Sequence, residues 1–284
     1  MLIAVAVIAL LAALGVILAV NSVRFGQRVE RDVAALWEQL PSPRSIDRDA
    51  LVRLPPPVRT YLEKALGSRT HFIRTVRLQH GGTFRPSLDG NWVPIRGRQY
   101  FALDPPGFVW WGRAHLAKNL WIDARDRSLR GAGSMLVSAE STYTLGDSSG
   151  PEIDQGALLR LLGEMMWFPT AFLDDRYVTW QAVDDRRAKA SLRVNGREVT
   201  GLFTFGDDGL PATFSAERYR DLGKGGSVLT PFTGWSSDFQ PIDGMLVPHL
   251  MVAAWVIGGV EKPYVRFNVE RIQFDQESSN RVIE

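Results

Sequence analysis

The sequence predicts an α+β protein that is mostly β. Its main body reads as a curved antiparallel meander of about ten or eleven strands, a half-barrel. One apolar helix lies on the concave side, and a transmembrane helix precedes the whole. Three observations predict this. Met1–Val20 is an unbroken apolar run, and the first charged side chain is Arg24. From Phe72 onward apolar and polar residues alternate in short stretches separated by turn signals. One segment, Gln155–Met166, interrupts that alternation and is apolar on nearly every side.

The N-terminal run comes first. About 20 helical residues at a rise of ~1.5 Å span roughly 30 Å, the hydrocarbon thickness of a bilayer. A secretory signal peptide would have a basic n-region, a shorter apolar stretch and a small-x-small cleavage site. No Lys or Arg precedes this run, and Asn21-Ser22-Val23-Arg24 follows it. The sequence therefore favours an uncleaved single-span anchor over residues 1–20. Arg24, Arg28 and Arg31 lie just after it, and the positive-inside bias taken literally puts the remainder in the cytoplasm. The absence of cysteine suits the cell envelope and the cytoplasmic face alike, so the side of the membrane stays open.

Residues 21–67 read as a juxtamembrane helical segment. Val29, Val33, Leu36, Trp37 and Leu40 recur at helical spacing within Phe25–Leu40. Two readings stand side by side: an amphipathic helix lying at the headgroups with Trp37 as an interfacial residue, or an ordinary helix packed on its own domain. Pro41-Ser42-Pro43 stops it, and Pro55-Pro56-Pro57 opens a second short helix, Val58–Leu66, ended by Gly67.

Residues 68–284 form the β domain. Val76 and Leu78 alternate with Arg77 and Gln79, and Ala188, Ala190, Leu192 and Val194 alternate with polar residues. Asn195-Gly196 is a strong hairpin signal before Val199, Gly201, Phe203 and Phe205. Near the end Val265, Phe267 and Val269 share one parity while Ile272 and Phe274 share the other, a slip that predicts a bulge near Arg271. Short turns throughout favour antiparallel pairing, since parallel strands need long crossovers. The helix at residues 155–167 has Asp154 as its expected N-cap, and Trp167-Phe168-Pro169 ends it. A helix carrying Leu158, Leu159, Leu161, Leu162, Met165 and Met166 must be covered on most of its surface, and the concave face of the sheet is the natural cover.

Composition excludes some functions. Basic and acidic residues number 33 and 31, so no electrostatic footprint for nucleic acid exists. His71, His80, His115 and His249 form no HExxH or HxH pair, no cysteine can join them, and no metal or cofactor is expected. A GxSxG elbow is absent. Gly131-Ala132-Gly133-Ser134 lacks the third glycine of a dinucleotide fingerprint and sits among strands, and Gly223-Lys224-Gly225-Gly226-Ser227 has the wrong order for a phosphate loop and reads as a turn.

Glu164 stands out as a charge between Leu162 and Met165 on the apolar helix, with Arg160 one turn earlier as its partner. The pair reads first as a structural ion pair and second as part of a site. Phe108, Trp110, Trp167, Trp180 and Trp235 are the aromatic candidates to line a cavity, with Arg160, Glu164 and Arg218 as its polar members.

Several motifs carry a resemblance. They are Leu54-Pro55-Pro56-Pro57-Val58 with Tyr61-Leu62, Trp92-x-Pro94, Pro106-Gly107-Phe108-Val109-Trp110 and Gly131-x-Gly133-Ser134-Met135. Gly150-Pro151-Glu152, Leu158-Leu159-Arg160, Glu164 with Trp167-Phe168-Pro169, Trp180, Arg218-Tyr219, Gly234, Asp238 and Gly244-Met245-x-Val247-Pro248 continue the set. Over residues 50–275 the chain resembles an uncharacterised bacterial family of membrane-anchored proteins, a domain of unknown function. Its element order also resembles the lipoprotein-carrier (LolA-like) half-barrels, which implies a cavity for acyl chains.

The leading expectation is a membrane-anchored binder of a lipid or other apolar ligand. One alternative is an envelope enzyme using Glu164 or Glu152 with Arg160 or Arg218 on a polar substrate. A second is a tethered scaffold that engages a protein partner through Phe25–Leu40.

Overall fold

The computed structural model describes residues 2–223 and 226–275. Its helices are α1 (Leu2–Leu36), α2 (Pro56–Ala65) and α3 (Pro151–Glu164). The first six strands are β1 (Thr75–Phe84), β2 (Val93–Leu103), β3 (Pro106–Ala117), β4 (Leu120–Leu129), β5 (Ala132–Ala139) and β6 (Tyr143–Ser149). After α3 come β7 (Val178–Ala182), β8 (Arg187–Val194), β9 (Arg197–Phe205), β10 (Pro211–Asp221), β11 (Ser227–Ile242), β12 (Met245–Ile257) and β13 (Val260–Phe274).

These strands make one open, curved antiparallel sheet in the order β6-β5-β4-β3-β2-β1-β13-β12-β11-β10-β9-β8-β7. Every neighbouring pair is a hairpin except β1 with β13, which join two meanders at the centre. The two edges, β6 and β7, are consecutive in sequence, so the chain between them must cross the whole inner face. That crossing is α3 with the short 3-10 turn Met165–Trp167 that follows it, and it explains why the segment is apolar all round: Leu158, Leu161, Leu162, Met165 and Trp167 are fully buried. Each such side chain contributes about 1.5–3 kcal/mol relative to exposure.

The sheet has 13 strands where the pattern predicts ten or eleven. The edges account for the difference: β6 is largely exposed and β7 is only 5 residues long, so neither shows the clear alternation of a half-buried strand. The parity slip near the end is a bulge. Gln79 pairs with Arg271 and His80 with Val269, leaving Glu270 as the extra residue. Asn195 and Gly196 both have positive φ, as a two-residue hairpin turn requires.

Asp154 is not the N-cap of α3. Gly150 takes that position with φ 115, and Pro151, whose ring presets a helical φ, starts the helix four residues earlier than expected. The Asp154 carboxylate instead accepts the Gly133 N–H at 2.6 Å and the Arg197 guanidinium at 2.9 Å, pinning the helix to β5 and β9. Gly133 permits this approach, since a Cβ there would lie 2.7 Å from the Ile153 carbonyl.

α1 runs unbroken across residue 20, and its second half packs on the convex face of the sheet. Phe25, Val29, Val33, Leu36 and Trp37 are buried against Ala102, Val109 and Leu136. Asp32 ties the helix to β4 through Arg125 at 2.8 Å and through Arg127. Of the two readings of Phe25–Leu40, the helix packed on its own domain is the one observed. The apolar face is taken by the chain's own domain, and Trp37 donates its indole N–H to the Phe101 carbonyl at 3.0 Å. Beyond this contact, α1 is long and apolar enough to cross a membrane, a property it shares with signal sequences.

Candidate functional site

Strand alternation places Gln99 (β2), Trp110 (β3) and Asp126 (β4) side by side on the concave face, because Gln99 pairs with Trp110 and Trp110 with Asp126. α3 lays Arg160 and Glu164, one turn apart, over this row. The Arg160 guanidinium donates to Glu164 Oε1 at 2.8 Å, to Asp126 Oδ2 at 2.8 Å and to Gln99 Oε1 at 3.3 Å. Gln99 closes the ring by donating to Glu164 Oε2 at 2.6 Å. The guanidinium also rests over the rings of Phe108 and Trp110, at 5.1 and 4.8 Å from their centroids.

One guanidinium thus serves two buried carboxylates. Burial works against the Arg160 cation, but Glu164 and Asp126 outweigh it and hold its pKa above the ordinary value. Burial pushes the Glu164 carboxyl up, against the opposing pull of Arg160 and Gln99, with Asp126 adding to the rise. The cluster therefore carries more negative than positive charge when fully ionised.

Trp110 extends the network by donating its N–H to His80 Nε2 at 2.8 Å. That bond leaves the proton of a neutral imidazole on Nδ1, which faces the Gly81 carbonyl at 3.4 Å. His80 is held at a pKa of about 3, mainly by burial, with the Arg160 charge adding to it and the Gly81 contact opposing. Two glycines make the space. A Cβ on Gly97 would lie 2.2 Å from the His80 ring, and one on Gly112 would lie 2.2 Å from the Trp110 ring.

Beside this network lies a cavity of about 160 Å³ between α3 and the sheet. Its wall is mostly apolar, with Ile95, Leu159, Met166, Phe214, Met251 and Phe267 among its members, and its charged members are Asp126, Arg160, Glu164 and Arg218. Of the sequence-derived candidates, Trp110, Arg160, Glu164, Trp167 and Arg218 line it together. Three others stand apart. Phe108 is fully buried beneath Arg160. Trp180 packs on Phe172 and Phe203 and donates to the Phe172 carbonyl at 3.2 Å. Trp235 follows the lining residue Gly234 and is not itself part of the wall.

Sequence reasoning passed over Gln99, Asp126 and His80. Their signal was a polar residue on an otherwise apolar strand parity: Gln99 shares parity with Phe101, and His80 with Val76 and Leu78. Of the groups named for the enzyme alternative, Glu164, Arg160 and Arg218 share the cavity wall and Glu152 stands apart. Glu152 is exposed in the first turn of α3, and Glu164 is buried 12 residues later, roughly 18 Å along the axis. No group of three or more His, Asp or Glu side chains suited to a metal ion occurs among the described residues.

Three solved structures resemble the chain. A LolA superfamily protein from Nitrosomonas europaea aligns over 82% of this chain and 95% of its own, at 11% identity and a TM-score of 0.35. An outer membrane lipoprotein-sorting protein domain from Vibrio parahaemolyticus aligns over 73% and 88%, at 11% identity and a TM-score of 0.34. A β-barrel-like protein of a domain of unknown function, DUF1849, from Brucella abortus aligns over 72% and 99%, at 8% identity and a TM-score of 0.29. No curated protein matches the chain in sequence. The model of the family of unknown function DUF6544 matches residues 44–267, and the chain belongs to that family.

Proposed function

We propose that the protein is a membrane-tethered binder that takes an apolar group, such as an acyl segment, into the concave cavity beside Trp167. The observation that carries this reading is the cavity itself: about 160 Å³ of space with a mostly apolar wall, next to an ion network whose members are hydrogen-bonded to one another. An engineered apolar cavity of ~150 Å³ stays dry and takes up benzene, so the size suits a ring or a short run of methylenes. The rest of a larger ligand would extend past the wall or displace α3.

α1 supports the tether. Its packed half meets the domain, and where it leaves the sheet Asn21 donates to Thr142 at 3.2 Å and Ser22 accepts from Arg113 at 3.1 Å. The apolar half continues directly from that exit, which would hold the β domain against a bilayer.

The test uses the full-length chain extracted into an amphipathic polymer. Organic extraction and mass spectrometry should recover an apolar ligand in stoichiometric amount. Ala253→Phe, which fills the cavity, should lose it. Recovery of no ligand, or equal recovery from the filled variant, would overturn the proposal.

A further inference from the structure

The four charged side chains of the cavity wall are not equivalent. Asp126, Arg160 and Glu164 share a single network, in which one guanidinium serves both carboxylates. Arg218, on β10, belongs to no ion pair among the described residues. Its Nε is buried with no hydrogen-bond partner, and its one polar contact is a long 3.5 Å approach of Nη1 to the Tyr264 hydroxyl. The guanidinium lies instead among aromatic rings, 5.1 Å from the centroid of Phe232 and 5.8 Å from that of Trp255.

The helix opposite is shaped to leave Arg218 room. Gly156 sits inside α3, where glycine costs about 1 kcal/mol relative to alanine. A Cβ at that position would come within 3.3 Å of Arg218 Nε. A half-buried cation whose buried Nε has no partner, flanked by aromatic faces and opening on an apolar cavity, lacks one component: an anion.

We infer that Arg218 is the subsite for the anionic head of an amphiphile whose apolar tail occupies the cavity, the head being a carboxylate or a phosphate monoester. This rests on the cavity reading above and adds the charge of the ligand. A guanidinium fork matches both heads through paired N–H donors.

The probes share one tail: n-octanol, octanoate and octyl phosphate, each titrated calorimetrically into the full-length chain in amphipathic polymer, with inorganic phosphate as a fourth. The two anionic amphiphiles should bind at least about tenfold more tightly than octanol, the scale of a charge-assisted hydrogen bond. Arg218→Gln should remove that preference, so that octanol and the two anionic amphiphiles bind with similar affinity, and Arg218→Lys should restore part of it. Gly156→Ala, which crowds the guanidinium without touching its charge, should weaken the preference in the same direction.

An anion preference that survives Arg218→Gln would overturn the inference, as would equal binding of all three amphiphiles. Inorganic phosphate binding as tightly as octyl phosphate would replace the amphiphile with a free anion and overturn it too. Failure of octanol to bind while the anions bind would instead refute the apolar cavity reading and leave the Arg218 subsite standing.

Discussion

His80 should set how the fold responds to acid. Its ring is 1% exposed, it accepts the Trp110 N–H at 2.8 Å, and Arg160 lies close enough to disfavour a second cation. Protonation at Nε2 would break the Trp110 bond and bury a charge, so the folded state holds the imidazole neutral down to about pH 3, whereas the ordinary value is 6.5. The folded value is the depressed one. The contribution is therefore complete above pH 6.5 and is lost as pH falls from there toward 3. One proton taken up by the unfolded chain alone gives a slope of up to about 1.4 kcal/mol per pH unit, with a ceiling near 5 kcal/mol across the window.

His80→Gln keeps an acceptor for Trp110 but cannot titrate. Urea unfolding followed by tryptophan fluorescence, repeated from pH 8 to pH 3.5, should give two parallel curves above pH 7. Below that the native protein should fall more steeply than the variant. If the two curves stay parallel through pH 4, the account of His80 as a buried neutral imidazole is wrong.

The remaining expectations use similar measurements. Arg160→Met strands Asp126 and Glu164 in the interior and should cost about 3–5 kcal/mol, whereas Glu164→Gln keeps one of its two accepted hydrogen bonds on the amide oxygen and leaves Arg160 paired with Asp126, so it should cost less, about 1–2 kcal/mol; urea midpoints compare the two. Because the folded pKa of Glu164 is raised, its contribution is complete below pH 4.5 and lost as pH rises, and the stability of Glu164→Gln relative to the native chain should climb above pH 4.5. Gly112→Ala would put a methyl into the Trp110 ring and should destabilise by about 1–3 kcal/mol, with a change in near-ultraviolet circular dichroism. Val33→Asp should release the second half of α1 from the convex face, read as new protease cleavage between Phe25 and Trp37.

Much of the fold was legible because strands and helices leave periodic traces. The apolar start, the meander, the Asn195-Gly196 hairpin and the bulge near Arg271 all follow from local pattern and turn chemistry. The apolar helix was legible too, since a segment with no polar face has to be enclosed. The strand count fell short at β6 and β7, where edge strands meet water on too many sides to alternate.

The site was legible only in part. Arg160 and Glu164 are one helical turn apart, so their pairing is written in sequence spacing. Their other partners, Asp126 and Gln99, lie 34 and 65 residues away, and only the register of β2, β3 and β4 brings them under the helix. The placement of Phe25–Leu40 was undecidable locally, because an amphipathic stripe describes what a helix will bury and never against what. By itself the sequence determined which faces must leave water. The tertiary structure decided which surfaces they meet, because pairing across a curved sheet couples residues that no local period relates. It was that closure which left Arg218 in the cavity wall with no counter-ion among the described residues.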